Sequence, residues 1–481
     1  MSTQSGDIED GEKKPLLINH EVVHDGETGA EEPGKEEMRR PTRWQIFLFT
    51  SLQAGMSFMF GITGGWLAFH YLPPEDTGHD KLINTAVYSG IVLVGRVLNG
   101  VAEPWIGYFS DRCDSSFGRR RPFILLATPL MAASFALLWF MPFEPMSVGA
   151  AMWFFVFYVL NNFFSACVMA PYMALMPEIT NDRQVRITIS ASQGVWGMLG
   201  NLVVASVGPV DNALEDGVDV FGYNMSGLQL ISTIMSFVMV ILCWMPLLAV
   251  KERPVEKHQI SDFSILGELK VAFSNSAFIS YITYMSMTIT GVSMFQAASP
   301  FICTVVLETE GGLVQPGKGE TWVGIFAFIT LIGALIGTPI ISVLAKRFGK
   351  KRILLIAAGL MVVTFFLVFF IQYMSDPGIG MLVFMIVGAL PITATFTLPN
   401  AVFADVVQHD EKITGKRREG MYTGARLLVI RVVTGVGSFL LMPIISIGDT
   451  PENPIGIMLI YPIACLASLI GFVAFLRYPH D

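Results

Sequence analysis

Charge is what this chain has least of. Only 15% of its 481 residues are Asp, Glu, Lys or Arg, against about 25% in an ordinary soluble domain, so it lacks the surface charge that would keep it in water. Cysteine is also scarce, and Cys113, Cys167, Cys243, Cys303 and Cys465 are scattered along the chain. Without a CxxC pair they give neither a disulfide framework nor the spacing of a zinc, haem or iron–sulfur site. No nucleophile–base pair and no phosphate-cradling glycine loop stands out either. An enzyme, a resident metal, a cofactor and a nucleic-acid partner are therefore not expected.

What is abundant is apolar: 53% of the residues, with 36 phenylalanines. Charge-free stretches recur, from Trp44–Leu72, Pro122–Phe143 and Pro145–Pro177 through to Asn453–Leu476; two others, Leu82–Ser110 and Gly420–Gly448, are interrupted only by Arg96 with Glu103 and by Arg426 with Arg431. About 20 helical residues cross a hydrocarbon layer of roughly 30 Å. Counted this way the chain holds twelve spans, which makes it an all-α membrane protein. One set of connecting loops carries Arg112, Arg119, Arg120, Arg121, Arg183, Arg186, Lys346, Arg347, Lys350, Lys351 and Arg352, whereas the other carries only Lys81 and Lys318 among acids such as Asp211, Glu215, Glu308 and Asp449. Basic loops stay in the cytoplasm, which puts both termini there.

Residues 1–42 are polar and are expected to be a disordered cytoplasmic tail; they contain no apolar run, so the first span is expected to do the targeting. Within them "EKKPLL", Glu12 to Leu17, fits the acidic dileucine pattern of endosomal and lysosomal sorting, which sets that membrane beside the plasma membrane as a destination. The polar segment 251–272 then divides the spans into six-helix bundles over 43–250 and 273–478. A monomer is expected, in contact with membrane lipid and a small-molecule substrate.

Ionisable groups inside spans are costly and are candidates for function; here they are Arg96, Glu103, Asp405, Arg426 and Arg431. Arg96, Asn99 and Glu103 are spaced to share one helical face. Pro104 withholds a backbone donor from the Gly100 carbonyl, so Asn99, Gly100 and Glu103 together offer oxygens for a cation, whether a proton or sodium. The other reading is a structural Arg96–Glu103 ion pair. Glu103 lies roughly 12 Å from Asp111, and Arg431 roughly 18 Å from Glu419, at 1.5 Å per residue, which places both near mid-membrane. Arg431 suits a substrate carboxylate or phosphate, or else a salt bridge to Glu103. Asp405 and Arg426 are expected to form an ion pair or gate nearer the cytoplasm.

"GYFSDRCDSSFGRRRPFILL" after the second span and "SVLAKRFGKKRILLI" after the eighth form an internal repeat at half-chain period. Such parallel repeats characterise the two bundles of major facilitator transporters, and the first stretch resembles the helix 2–3 loop of that superfamily. "GRVLNGVAEPWIGYFSDR", "APYMALMPEITNDRQVR" and "ADVVQHDEKITGKRREGMYTGARLLVIR" resemble three passages of the glycoside-pentoside-hexuronide cation symporters. Relatives of the lysophospholipid–sodium symporter share these patterns, and the basic loop is also similar to that of sucrose–proton symporters. The resemblance implies a secondary active transporter that rocks two bundles around a central site. It implies that Asn99 and Glu103 occupy the places of two cation-binding aspartates, and that Arg431 occupies that of a lysine near the cation and substrate. One formal charge is thereby lost. Burial favours the neutral form of a lone carboxylate, so a proton is expected over sodium. In the basic loop, Asp111, Gly118 and Arg119 are expected to gate the inward–outward balance, the arginines pairing with helix ends of the other bundle in one of two states.

The melibiose-type pattern is incomplete. An acid expected in the fourth span is Met169, an aromatic that would stack on the sugar is Met173, and a further acid position falls near Ser57. Trp66, Asn162, Tyr172, Gln193 and Trp196 remain to contact a substrate. A sugar or glycoside is expected from the family, with an anionic or lysophospholipid-like solute, or a non-transport role as channel, scramblase or sensor, as the alternatives.

Overall fold

The computed structural model describes residues 41–75, 80–180, 182–220, 222–250, 252, 272–414 and 419–479. The dileucine pattern and most of the 251–272 segment lie outside these. Ten described helices are long and apolar enough to cross a membrane. The other two expected spans are helices as well: Arg121–Leu137, of 17 residues, and Arg183–Ala213, of 31.

In chain order the first half contains α1 Arg43–Thr50, α2 Leu52–Tyr71, α3 Thr85–Arg112, α4 Arg121–Leu137, α5 Val148–Ile179, α6 Arg183–Ala213 and α7 Gly227–Ala249. The second contains α8 Ser276–Phe301, α9 Gly319–Phe348, α10 Lys350–Val368, α11 Pro377–Thr397, α12 Pro399–Thr414, α13 Glu419–Ile445 and α14 Ile455–Leu476. Local chemistry sets the starts. Thr42 and Ser226 each make a reciprocal capping box with a glutamine three residues on, and Asn84, Ser147, Asp182, Asn275 and Asp376 accept from first-turn amides, which satisfies donors the helix leaves open.

Two spans are broken. The first divides into α1 and α2 at Ser51, whose hydroxyl donates to the carbonyls of Leu48 and Leu242, each at 2.8 Å. The tenth divides at Leu398, before Pro399, which has no amide hydrogen to continue the helical ladder. Between α6 and α7 a hairpin of Val218–Val220 and Tyr223–Met225 pairs Asp219 with Asn224, and Gly222 supplies the positive φ of +80° the turn requires.

Packing between the halves follows the repeat. Within the first half α3 packs on α5, α4 on α5 and α7, and α2 on α6 and α7; within the second, α8 packs on α14 and α13, and α9 on α11. Among the described residues the main contacts between the halves are α3 with α13, α6 with α9, and α2 with α8. Exchanging the halves turns the pair of second and eleventh spans into the pair of eighth and fifth, and the first–seventh pair into itself. That is the relation expected of two similar bundles about a central axis.

The ends of the molecule differ. At the end with acidic loops the halves are in close contact: Phe69 meets Phe301 at 5.4 Å, and a Cβ on Gly208 would stand 1.9 Å from the Glu320 carbonyl oxygen. Lys81 Nζ reaches Asp449 Oδ2 at 3.1 Å, and Lys318 Nζ reaches Asn212 Oδ1 at 2.9 Å. The basic end differs. There Phe278, Leu354, Val402, Tyr422 and Phe475 form a buried cluster with no member from the first half among the described residues. The halves thus meet closely at the acidic end and bury separate apolar clusters at the basic end.

Candidate functional site

Helix α3 buries Gly95, Asn99, Gly100, Glu103 and Ile106, a stripe at helical spacing between α5 on one side and α13 on the other. Glycines make the α3–α13 approach close. A Cβ on Gly100 would lie 2.9 Å from Arg431 Cβ, and one on Gly435 would lie 3.3 Å from Arg96 Cβ. The two helices run antiparallel, so each contributes an arginine seated on the other's glycine, one turn apart.

Arg431 Nη2 donates to Glu103 Oε1 at 3.2 Å, so the pair bridges the halves. Arg431 is also held over the Phe60 ring of α2, its Cζ 5.4 Å from the centroid, a cation–π contact. Glu103 Oε2 is buried without a protein partner. The partner of Glu103 is thus Arg431 and not Arg96: side chains seven residues apart on one helix are separated by two turns, roughly 10 Å, while α13 presents Arg431 directly.

Asn99 turns the other way, its Nδ2 donating to the Asn162 carbonyl at 2.7 Å and to Ser165 Oγ at 3.0 Å. Its Oδ1 is buried with no partner. Asn99 and Glu103 therefore each retain one open oxygen, flanking Gly100. Oxygen atoms are what hold small cations, but Asn99 is directed at α5 and Glu103 at Arg431 of α13. Among the described residues no group of three or more His, Cys, Asp and Glu is placed to hold a metal ion.

The expected substrate residues are dispersed. Asn162 Nδ2 bonds the Tyr158 carbonyl within its own helix at 2.9 Å. Gln193 donates to the Tyr172 hydroxyl at 2.8 Å, but the Tyr172 ring is fully buried and stacked on Phe49. Trp66 is also buried, edge-on to Phe69 in the closed acidic end. Trp196 packs against Phe47 at 4.9 Å. In this state Trp66 and Tyr172 act as packing residues, while Arg431, Asn162, Gln193 and Trp196 remain partly accessible.

At the basic end one expected ion pair is not formed. Asp405 pairs with Lys350, Oδ2 to Nζ at 2.6 Å, whereas Arg426 donates to Asn400 Oδ1 at 2.8 Å and lies over the Phe403 ring. Asn400 and Asp405 are five residues apart on α12, about 140° around the helix, so an arginine at the first cannot reach the second. Among the described residues, the arginines of the basic loop make bonds within their own half. Arg120 Nε and Nη2 donate to Asp111 Oδ1 at 3.0 and 2.6 Å, Arg120 Nη1 donates to the Ala174 carbonyl, and Arg121 Nη2 donates to that of Leu247 at 2.7 Å.

Sequence reasoning missed Glu252. Its side chain is 4% exposed and accepts from the backbone amides of Arg119, Arg120 and Arg121 at 2.7 to 3.1 Å, capping the start of α4. Gly118, at φ +109°, is required beside it: a Cβ there would lie 2.7 Å from Glu252 Oε1. The available signal is an acid in "VKERP" opposite three arginines, of which Asp111 takes only Arg120 among the described residues.

Residues 79–478 match the family model described as MFS/sugar transport protein. The chain belongs to that family. It is a multi-pass membrane transporter of the major facilitator fold and not an enzyme. Among curated relatives, it is 24% identical over 359 residues to the sodium-dependent lysophosphatidylcholine symporter 1 of Gallus gallus, covering 67% of this chain and 65% of that protein. It is 23% identical over 468 residues to the glucuronide carrier protein homolog of Escherichia coli (strain K12), covering 92% and 94%. Among solved structures, a D-xylose-proton symporter superposes with a TM-score of 0.61 at 14% identity, covering 89% of this chain and 97% of that one. The nucleoside transporter NupG gives 0.58 at 15% identity, covering 92% and 100%. These superpositions establish the fold.

Proposed function

We propose that the chain is a proton-coupled symporter of a small organic solute, working by alternating access, with Glu103 as the proton-carrying group and Arg431 as its counter-ion. The observation that carries this is the Glu103–Arg431 pair, which joins the halves by a single hydrogen bond while Glu103 Oε2 stays open. Protonation of Glu103 removes its charge, releases Arg431 and loosens one tie between the halves. Deprotonation restores the tie. A titrating pair that ties the halves in one state and not in the other couples the rocking to a proton by linkage. Asn99 has no charge to lend, which disfavours sodium, although one relative's name is sodium-dependent.

Placing the basic loops in the cytoplasm makes this an inward-open state with both termini cytoplasmic. The solute reaches the site between α3 and α13 from that side, past Gln193, Asn162 and Trp196, and a sugar or glycoside is the family expectation. A second reading, an anionic or lysophospholipid-like solute, is favoured by the arginines: Arg96, Arg426 and Arg431 face one interior acid, Glu103, once Asp405 is paired with Lys350. The protein works as a monomer in lipid, in the plasma membrane or in an endosomal or lysosomal membrane.

Purified protein in proteoliposomes tests the core of this. Saturable uptake of a glycoside or organic anion that collapses with a protonophore and survives removal of sodium is expected. Uptake that follows the sodium gradient instead would transfer the coupling to sodium. Flux that neither saturates nor accumulates would make the protein a channel or scramblase.

A further inference from the structure

We propose that the α3–α13 crossing holds the carboxylate or phosphate group of an anionic solute, with the Arg96 guanidinium as its anchor. The proposal deepens the transporter reading above and rests on it for the route by which solute arrives. Arg96 is eleven residues into α3 from Thr85, roughly 16 Å at 1.5 Å per residue, which is close to mid-membrane. A cation at that depth is expensive and is normally paired. Here the one interior acid on its helix, Glu103, is taken by Arg431. Among the described residues Arg96 has no ion pair, and its Nε is buried without a hydrogen-bond partner.

The backbone shows that this position is built. Gly435 leaves room for Arg96, as Gly100 does for Arg431, so the stems of the two arginines are seated on adjacent turns of the crossing. Arg426 adds a third cation on α13, and it donates to the neutral side chain of Asn400. Three arginines against one acid leave the interior with an excess of positive charge that an incoming anion neutralises. A guanidinium offers two parallel donors to a carboxylate or phosphate, whereas sugar hydroxyls give such a group no charge to balance. The two sources of that chemistry, a soluble organic acid and a lipid phosphate, make the same contact and differ in the tail.

The test measures binding to the purified full-length chain, independent of transport, with two matched pairs of probes. One is 4-nitrophenyl glucuronide against 4-nitrophenyl glucoside, and the other is oleoyl lysophosphatidate against monooleoylglycerol. In one pair or both, the anionic member is expected to bind about ten-fold or more tightly than its neutral partner, as hydrogen bonds to charged groups imply. The responding pair identifies the source. Arg96→Gln is expected to remove most of that preference and Arg96→Lys to keep part of it, which guards against a merely misfolded Gln variant. Wild-type protein that binds neither anion, that binds both members of each pair equally, or whose preference survives in a folded Arg96→Gln variant overturns the proposal. Preferential anion binding without any proteoliposome uptake would overturn the transport reading and leave this site standing.

Discussion

Lys81 Nζ stands 3.1 Å from Asp449 Oδ2, joining the loop after the first span to the loop after the eleventh. With its counterpart between Lys318 and Asn212, it uses both lysines of the acidic face, Lys81 and Lys318, to fasten one half to the other. Opening the site to the acidic side must break both. Because Asp449 is largely buried and Lys81 partly so, the ion pair is worth about 1 kcal/mol, and losing it should shift the inward–outward ratio roughly five-fold. In protein retaining only Cys303, which is fully buried near this closure, Lys81→Ala should raise labelling by an impermeant maleimide, and Lys81→Ala with Asn212→Ala should raise it further. Unchanged labelling in the double variant would show that the helices alone hold the closure.

The same link should be indifferent to pH near neutrality. Burial pulls the Lys81 ammonium down, but the Asp449 and Glu75 carboxylates outweigh it and hold its pKa above the ordinary lysine value. A raised lysine contributes its stabilisation fully below its unfolded pKa and loses it as pH rises through the folded one, so the lysine side of the link fails only in alkali. The ratio of the Cys303 labelling rate in the Lys81→Ala variant to that in the wild type, which cancels the thiol's own ionisation, should therefore be flat from mildly acidic to mildly basic conditions. A ratio that changes across that range would show that the link itself responds to pH near neutrality.

Glu252 offers a separate test of the basic end. Its carboxylate satisfies three backbone donors at the start of α4, and removing such a partner costs about 2 kcal/mol. Glu252→Ala and Gly118→Ala should both lower the thermal unfolding midpoint, the second because an alanine at φ +109° is strained and its Cβ meets the carboxylate. Asp111→Asn, which weakens the anchor of Arg120, should slow uptake while equilibrium substrate affinity holds. Loss of binding in Asp111→Asn would place this loop inside the site.

How much of this can be read from the chain alone depends on the range of the interaction. The spans, the half-chain repeat and the shared face of Asn99 and Glu103 are local or periodic, and apolar runs and 3.6-residue spacing carry them. The Glu103–Arg431 alternative can be posed from depth, since both lie near mid-membrane. Which arginine Glu103 takes is decided by Gly100, whose lack of a side chain lets α13 approach, and that pairing spans 328 residues of sequence. The choice of Lys350 over Arg426 by Asp405 turns on the angle around α12, and on how α10 starts beside it. Trp66 and Tyr172 are candidates on their chemistry, and burial, which no short window of sequence reveals, makes them packing residues in this state.

Sidedness follows from the loops and is open to direct measurement. A cysteine at Asp216, in the segment before the hairpin, should react with an impermeant reagent added outside intact cells, and one at Arg120 should not. The reverse result would invert the topology and make the present state outward-open.

Glu103 decides the mechanism. If it carries the proton, Glu103→Gln fixes it in the neutral state: accumulation against a gradient should fall to the level of empty liposomes, while exchange of substrate across the membrane persists, because exchange does not require return of an empty, deprotonated carrier. The substitution also leaves Arg431 without its acid, a loss of about 3 kcal/mol for a buried pair and less here because Arg431 is 25% exposed. Stability and coupling can be separated with a second change. Glu103→Gln combined with Arg431→Gln removes the orphaned charge, so its unfolding midpoint should recover toward wild type while accumulation stays lost. If the pair were only structural, the double variant would recover both. A well-folded Glu103→Gln protein that still accumulates substrate at full gradient would remove Glu103 from the coupling path altogether.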